Sequence, residues 1–199
     1  MPLVSPTIAC FAVAYAGQAS YRVRLAVPVH GSTVSLSGDA ADLRVTQAPG
    51  SQLLLTGTAH YSIIRSTVTW HNTQSGVIVT PRCHFVVGNC SFDFHAVVPG
   101  GKRALISTGS GNVTLADLSG PVSAGTGSGD VSGNAVSGAN VAFKTGSGNV
   151  SLVLPPGNTL YQVNAAADSG GRVVTVPTST ASRHVITVST GSGNISITN

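Results

Sequence analysis

Apolar residues alternate with serine and threonine through much of the C-terminal half of the chain. Residues 113–115 and 195–197 show this alternation clearly, and residues 105–108 and 150–154 are built from the same apolar, serine and threonine residues. A period of two is typical of a β-strand with one buried face. Glycine and β-branched residues, which are frequent here, are poor helix formers. The pattern therefore predicts an all-β protein made of short strands, with no substantial helix.

A six-residue motif, Thr-Gly-Ser-Gly-[Asn/Asp]-[Val/Ile], lies between these strands. Four copies begin at Thr108, Thr126, Thr145 and Thr190, and a degraded copy covers residues 168–173. Glycine adopts positive φ without steric cost, and Asn and Asp tolerate the left-handed region, so each copy predicts a turn. The predicted structural turn residues are Gly109, Gly111, Asn112, Gly127, Gly129, Asp130, Gly146, Gly148, Asn149, Gly191, Gly193 and Asn194.

Repetition of one strand–turn–strand unit predicts a β-solenoid or β-helix-like stack. One rung has too few apolar residues to bury its own face, so neighbouring rungs stack and share a core. We expect equivalent turns to lie above one another, with the asparagine and aspartate side chains forming a ladder along one edge. The apolar residues that close the five copies are expected to point inward at equivalent positions: Val113, Val131, Val150, Val173 and Ile195.

The N-terminal half is rich in strand-like segments but shows no visible repeat. Glycine and proline punctuate these segments, and Gly38-Asp39 is one of the predicted breaks. The four candidate strands cover residues 23–27, 32–36, 52–56 and 76–80.

Three portions of the chain are predicted, without a low-complexity linker between them. Residues 1–20 form an N-terminal segment that is either a truncated export or anchor region or a first strand. Residues 21–103 form a non-repeated β-strand portion. Residues 104–199 form the repeat-bearing solenoid portion, which is expected to continue directly from the portion before it.

Charged residues are scarce, at 8% of the chain, and the net charge is +4. The basic residues are scattered and are not interleaved with aromatic residues, so no nucleic-acid partner is expected. No apolar run approaches the roughly 20 residues that span a bilayer, so the chain shows no membrane anchor.

Candidate catalytic chemistry is dispersed along the chain. Only Asp39 and Asp42 are close among the six aspartates, whereas glycosidases use paired carboxylates. The histidines occur singly, without the spacing of a metal site. Each glycine-rich motif precedes a strand, which argues against a phosphate loop, and its usual Asn argues against a calcium roll. We therefore predict no catalytic residue, no metal site and no cofactor.

The repeats and the segment before them resemble the bacterial putative-adhesin family of β-strand-repeat domains, whose function is unknown. A short cysteine pair, Cys83 and Cys90, is followed by a strand that ends in Val98-Pro99 two residues before Gly101, and the first repeat comes next. The resemblance covers about residues 30–199. It implies a β-solenoid fold and an extracellular or cell-envelope location in a bacterium, and it offers no catalytic residues.

In this family context Cys83 and Cys90 are expected to form a disulfide, the alternative being two buried thiols in a reducing cytosol. The resemblance implies a non-catalytic envelope or extracellular module with a structural or adhesive role. One alternative is a sensory or regulatory envelope domain that acts with a membrane partner, and a less favoured one is a polysaccharide-active β-helix enzyme. The expected partner is an unknown protein or a surface glycan. Because the chain ends soon after Ile195, its last strand is expected to present an open edge that allows self-association.

Overall fold

The structure is a computed structural model that describes residues 19–84 and 89–199. The N-terminal segment up to residue 18 lies outside the described residues. The described residues form sixteen strands and no helix, so they contain no helix that could cross a membrane. The strands are β1 (Ala19–Pro28), β2 (Thr33–Ala48), β3 (Gln52–Tyr61), β4 (Thr67–Asn72), β5 (Gly76–Arg82), β6 (Cys90–Pro99), β7 (Arg103–Ser110), β8 (Val113–Ala116), β9 (Val122–Ser128), β10 (Val131–Asn134), β11 (Asn140–Ser147), β12 (Val150–Val153), β13 (Gln162–Ser169), β14 (Arg172–Val174), β15 (Val185–Ser192) and β16 (Ile195–Thr198).

Two sheets face each other across one core, and β2 contributes to both. Sheet I contains, in spatial order, β4, β5, the first half of β2, β7, β9, β11, β15 and β13. Sheet II contains β1, β3, β6, the second half of β2, β8, β10, β12, β16 and β14. A Cβ built on Gly133 in sheet II would lie 2.8 Å from the ring of Phe143 in sheet I, so the two inner faces are in contact.

Each rung of the stack has one strand in each sheet, joined by a hexamer corner. Five such rungs are β7–β8, β9–β10, β11–β12, β15–β16 and β13–β14, and neighbouring rungs pair in parallel. Each rung contacts its neighbours in the stack, which is the defining property of a solenoid. The β-solenoid predicted from the repeats is confirmed.

The order of the rungs in space differs from their order in the sequence at the C-terminal end. Rung β15–β16 lies between β11–β12 and β13–β14. The last strand of the chain, β16, is therefore paired on both sides, by β12 and β14. The expectation that this strand presents an open edge is wrong, because the preceding rung in the sequence occupies the end of the stack.

The opposite end of the solenoid is covered by antiparallel strands. Here β2 forms a rung by itself, and it lies between rung β5–β6 and rung β7–β8. On the far side of β5–β6, β3 pairs with β6, β1 pairs with β3, and β4 pairs with β5. Three of the four strands predicted in this half lie within observed strands, and the fourth, 32–36, begins one residue before β2. The predicted break at Gly38-Asp39 is wrong, since β2 runs through it.

Rows of inward-facing residues fill the core. Val113, Val131, Val150 and Ile195 pair in register and are at most 1% exposed. Val173 is the exception, because it is 54% exposed and Arg172 takes the position beside Ile195.

The degraded hexamer therefore covers residues 167–172, one residue earlier than predicted. Ser169 pairs with Ser192, which places Gly170 at the corner position of Gly193. Gly170 has a φ of 136°, a value that favours glycine. The requirement for glycine at the corner thus fixes the register and turns Val173 outward.

Candidate functional site

The second glycine of each hexamer forms the corner of its rung. Gly111, Gly129, Gly148 and Gly193 have φ values of 116°, 139°, 144° and 146°. A side chain is strained in this region of φ. A Cβ built on Gly148 would also collide with the carbonyl oxygen of Gly129 in the neighbouring rung. Both the backbone angle and the close stacking therefore require glycine at the corner.

The first glycine of each hexamer has a different role from the one predicted. Gly109, Gly127, Gly146 and Gly191 lie within strands β7, β9, β11 and β15 rather than in the corner. A Cβ at these positions would lie 2.6–2.7 Å from a backbone oxygen of the adjacent rung. These glycines allow two rungs to approach closely, which the sequence pattern alone does not distinguish from a turn.

The asparagine and aspartate side chains form a continuous hydrogen-bonded ladder, here called the corner ladder. In each step a side-chain Oδ1 accepts from the backbone N–H of the equivalent residue one rung further on. The acceptor and donor pairs are Asp42 and Asn112 (2.6 Å), Asn112 and Asp130 (2.9 Å), Asp130 and Asn149 (2.7 Å), Asn149 and Asn194 (3.0 Å), and Asn194 and Gly171 (2.8 Å). The ladder thus spans six rungs and satisfies the corner N–H groups.

A second row of hydrogen bonds runs inside the corners. The threonines that open the four consensus hexamers are buried. Thr126, Thr145 and Thr190 donate through Oγ1 to carbonyl oxygens of the preceding rung, at 2.9, 2.8 and 2.9 Å. Burial of a hydroxyl costs free energy unless it is hydrogen-bonded. This role explains why the motif begins with threonine, a preference that turn chemistry alone does not predict.

The first step of the ladder reveals a rung that has no visible hexamer. Within β2, Gly38 pairs with Thr108 and Leu43 pairs with Val113, so residues 38–43 occupy the place of a hexamer. Only the final Asp42-Leu43 retains the consensus chemistry. The pair Asp42-Leu43, an acidic residue followed by an aliphatic one, was the sequence signal by which this rung could have been found.

The outer face of sheet II carries a group of ionisable side chains near the covered end, here called the charged patch. His60 Nε2 lies 3.3 Å from Asp93 Oδ2, and Asp42 and Asp93 occupy directly neighbouring positions on β2 and β6. The prediction of dispersed aspartates is therefore incomplete, since the fold brings these two together. The patch consists of Arg22, Arg24, Asp42, Arg44, His60, Asp93 and His95. Among the described residues, no three His, Cys, Asp or Glu side chains are arranged to hold a metal ion.

The disulfide between Cys83 and Cys90 closes the corner of rung β5–β6. This rung has a longer connection than the others, because Val79 pairs with Leu36 whereas Phe92 pairs with Ala41. Residues 85–88 of the connection lie outside the described residues. The bond implied by the family resemblance is confirmed, and it joins the two strand ends that the corner ladder does not reach.

The family comparison concerns the part of the chain that carries these corners. Residues 101–198 match the family model of the Toastrack DUF4097 domain. The repeat-bearing half is similar to this domain and is here called the Toastrack half. This match confirms the resemblance to a repeat domain of unknown function. A comparison with curated proteins finds no significant match.

A solved structure shares the fold over nearly the whole chain, beyond the Toastrack half. A putative cell adhesion protein from Clostridium sporogenes is 12% identical and superposes with a TM-score of 0.63, covering 91% of this chain and 99% of that one. At this identity the likeness shows the fold alone. Putative adhesins from Bacteroides fragilis (12% identical, 90% and 97% covered) and Parabacteroides merdae (10% identical, 92% and 96% covered) give TM-scores of 0.38 and 0.27, which are too low to carry an argument.

The far end of the Toastrack half is an open cleft of about 700 Å³ between β13 and β14. Its apolar lining includes Val163, Ala165, Val174 and Val176. Arg172 reaches across from β14, and its Nη1 donates to the carbonyl oxygen of Ala165 at 2.6 Å. The cleft depends on the swapped order of the last two rungs, so a sequence analysis that stacks rungs in chain order does not find it.

Proposed function

We propose that the chain is a non-catalytic structural or adhesive module that works in the bacterial cell envelope or outside the cell. The observation that carries this proposal is the uninterrupted stack of hydrogen-bonded corners. The corner ladder and the buried threonines join each consensus rung to its neighbour. Such a stack holds its outer faces in fixed positions, as a structural or adhesive surface requires.

The outer face of sheet II presents a row of hydroxyl groups along this stack. Thr114, Ser132, Ser151 and Ser196 occupy equivalent positions on adjacent parallel strands. Adjacent strands are about 4.8 Å apart. A row of small polar groups at a regular spacing suits a partner that is itself repetitive or extended, such as a surface glycan or a protein strand.

Two further observations support the location. A disulfide at Cys83 and Cys90 is favoured in oxidising compartments and is rare in the cytosol. The fold is shared with a protein described as a putative cell adhesion protein. Neither the sensory alternative nor the enzymatic one is favoured by a specific observation on the described residues.

Surface exposure and binding in the source bacterium test this proposal. We expect intact cells to bind an antibody against the chain and to lose that signal after brief external proteolysis. We also expect the purified protein to bind immobilised cell-surface glycans or proteins, and the double variant Ser132→Arg/Ser151→Arg to bind less because it disrupts the hydroxyl row. Thr187→Arg is the matched control, since Thr187 is exposed on sheet I. A chain retained in the cytosol with reduced Cys83 and Cys90 contradicts the proposal.

A further inference from the structure

The open end of the solenoid has two strands with one free side each. β13 pairs only with β15, and β14 pairs only with β16, among the strands of residues 19–84 and 89–199. Just before β13, Tyr161 already pairs with Thr178, and within β13 the carbonyl oxygen of Ala165 accepts from Arg172. The rest of the free side exposes backbone N–H and C=O groups that can pair with another chain. The two free edges flank the same cleft, so a single added rung would meet both of them.

The residues at the open end disfavour pairing of two copies of the chain through this end. Arg172 occupies the core row that Val113, Val131, Val150 and Ile195 form in the other rungs. An inward-pointing charge is a known device against edge-to-edge pairing. The ladder also stops here, because Gly171 donates its N–H to Asn194 but has no side chain to accept from a further rung. Two copies that meet end to end would bring both Arg172 side chains, which line the cleft, to one interface.

The same residues suit a different occupant. The cleft offers half-buried apolar side chains, among them Val163 and Ala165. Arg172 forms no ion pair with a carboxylate of the described residues, although its guanidinium has five N–H donors. Arginine and a carboxylate form strong, directional hydrogen bonds. An occupant with apolar side chains and one acidic side chain is therefore complementary to this end.

We propose that the open end binds an extended segment of another protein, which adds a rung to the solenoid and places an acidic side chain on Arg172. Main-chain pairing gives such a complex affinity, and the side-chain positions give it specificity. The proposal deepens the proposed function, because it names a protein strand as the partner class of the module and Arg172 as the residue that selects it.

Rung β15–β16, which lies next to the terminal rung β13–β14, defines the register of the added rung. Ile195 pairs with Arg172 on the inner side, so the residue equivalent to Ile195 in an added rung would face Arg172 from the outer side. A peptide that copies residues 185–198 contains both strands and the corner of a natural rung. Three versions serve as probes, with Ile195 unchanged, with Ile195→Glu, or with Ile195→Lys.

Fluorescence anisotropy of the labelled peptides with the purified protein provides the test. We expect the glutamate peptide to bind about tenfold or more tightly than the lysine peptide, because like charges in contact oppose association. Arg172→Glu should reverse this preference, and Arg172→Gln should abolish it. Lys144→Glu is the matched control, since Lys144 is exposed on the outer face of sheet I, and it should leave the preference unchanged.

Several results would overturn the proposal. Equal affinity of the three peptides, or no binding of any of them to a folded protein, shows that Arg172 does not select a strand. A wild-type dimer in sedimentation velocity that Arg172→Glu dissociates shows that a second copy covers the end. These outcomes are separate from the proposed function, because surface exposure and adhesion through sheet II do not require peptide binding at the open end.

Discussion

Each corner of the solenoid concentrates two steric requirements on one residue. At Gly148 the backbone has a φ of 144°, and the space a side chain would fill belongs to the carbonyl oxygen of Gly129. At Gly157 the φ is nearly the same, 147°, but no atom lies within 4 Å of a built Cβ. The two glycines therefore separate the cost of the backbone angle from the cost of stacking.

We expect Gly148→Ala to lower the free energy of unfolding by at least about 2 kcal/mol more than Gly157→Ala does. Both variants carry the conformational strain of positive φ, about 1–2 kcal/mol. Only Gly148→Ala also forces the neighbouring rung apart. Urea denaturation of the two purified variants measures the difference. Equal destabilisation would show that the rungs can separate at the corner without cost.

At the scale of the strand, a large side chain in one sheet packs against a glycine in the other. Phe143 on β11 is 1% exposed and packs against Gly133 on β10. A Cβ at Gly133 would lie 2.8 Å from two ring atoms of Phe143 and 3.0 Å from Leu152 Cδ1. Leu115 and Leu152 occupy the equivalent position in the adjacent rungs. The absence of a side chain at position 133 therefore makes room for the ring.

We expect Gly133→Ala to destabilise the protein by about 1–3 kcal/mol, the usual cost of an overpacked core. Combined with Phe143→Leu, the same change should cost less than the sum of the two single changes, with a coupling energy of about 1 kcal/mol. Thermal or urea unfolding of the four proteins in this cycle gives the coupling. Gly100→Ala is the control, because its Cβ would meet only the Gln47 side chain at an ordinary 3.5 Å. Strict additivity would mean that the two residues do not share the space.

Some of the corners and rungs could be predicted from the sequence, and others could not. The four consensus corners were predictable because close stacking, positive φ and the ladder each restrict a position of the hexamer to one or two residue types, so the same residues recur in each copy. The rung in β2 was hidden because residues 38–43 share only Asp42-Leu43 with the motif. The register at Arg172 was ambiguous, since either Gly170 or Gly171 could take the corner. The swapped order of the last two rungs could not be derived, because a repeat gives the period of the rungs and not their order in space.

At the scale of the whole molecule, the solenoid is an array in which each rung is stabilised mainly by its neighbours. The disulfide lies in rung β5–β6, close to the covered end, whereas β11–β12 lies several rungs away. Closing so short a loop stabilises a protein by about 2–3 kcal/mol in the chain-entropy model. In a nearest-neighbour array, the loss of that stabilisation should stay close to the rung that contains the bond.

We therefore expect the double variant Cys83→Ser/Cys90→Ser to lose amide hydrogen-exchange protection in β5, β6 and the covering strands β3 and β4, while β11 and β12 keep theirs. The bond joins strand ends across a connection that lacks the ladder. The hydrogen bonds of Asn89 with Ser62 and of His84 with Thr67 hold each strand end to a covering segment, not to the other strand end. Hydrogen exchange followed by mass spectrometry resolves the strands separately, and Cys10→Ser serves as the control for removing a cysteine. A uniform loss of protection from β5 to β16 would show that the solenoid unfolds as one cooperative unit. In that case the covered end, through β2 and its pairing with four other strands, would stabilise the whole stack.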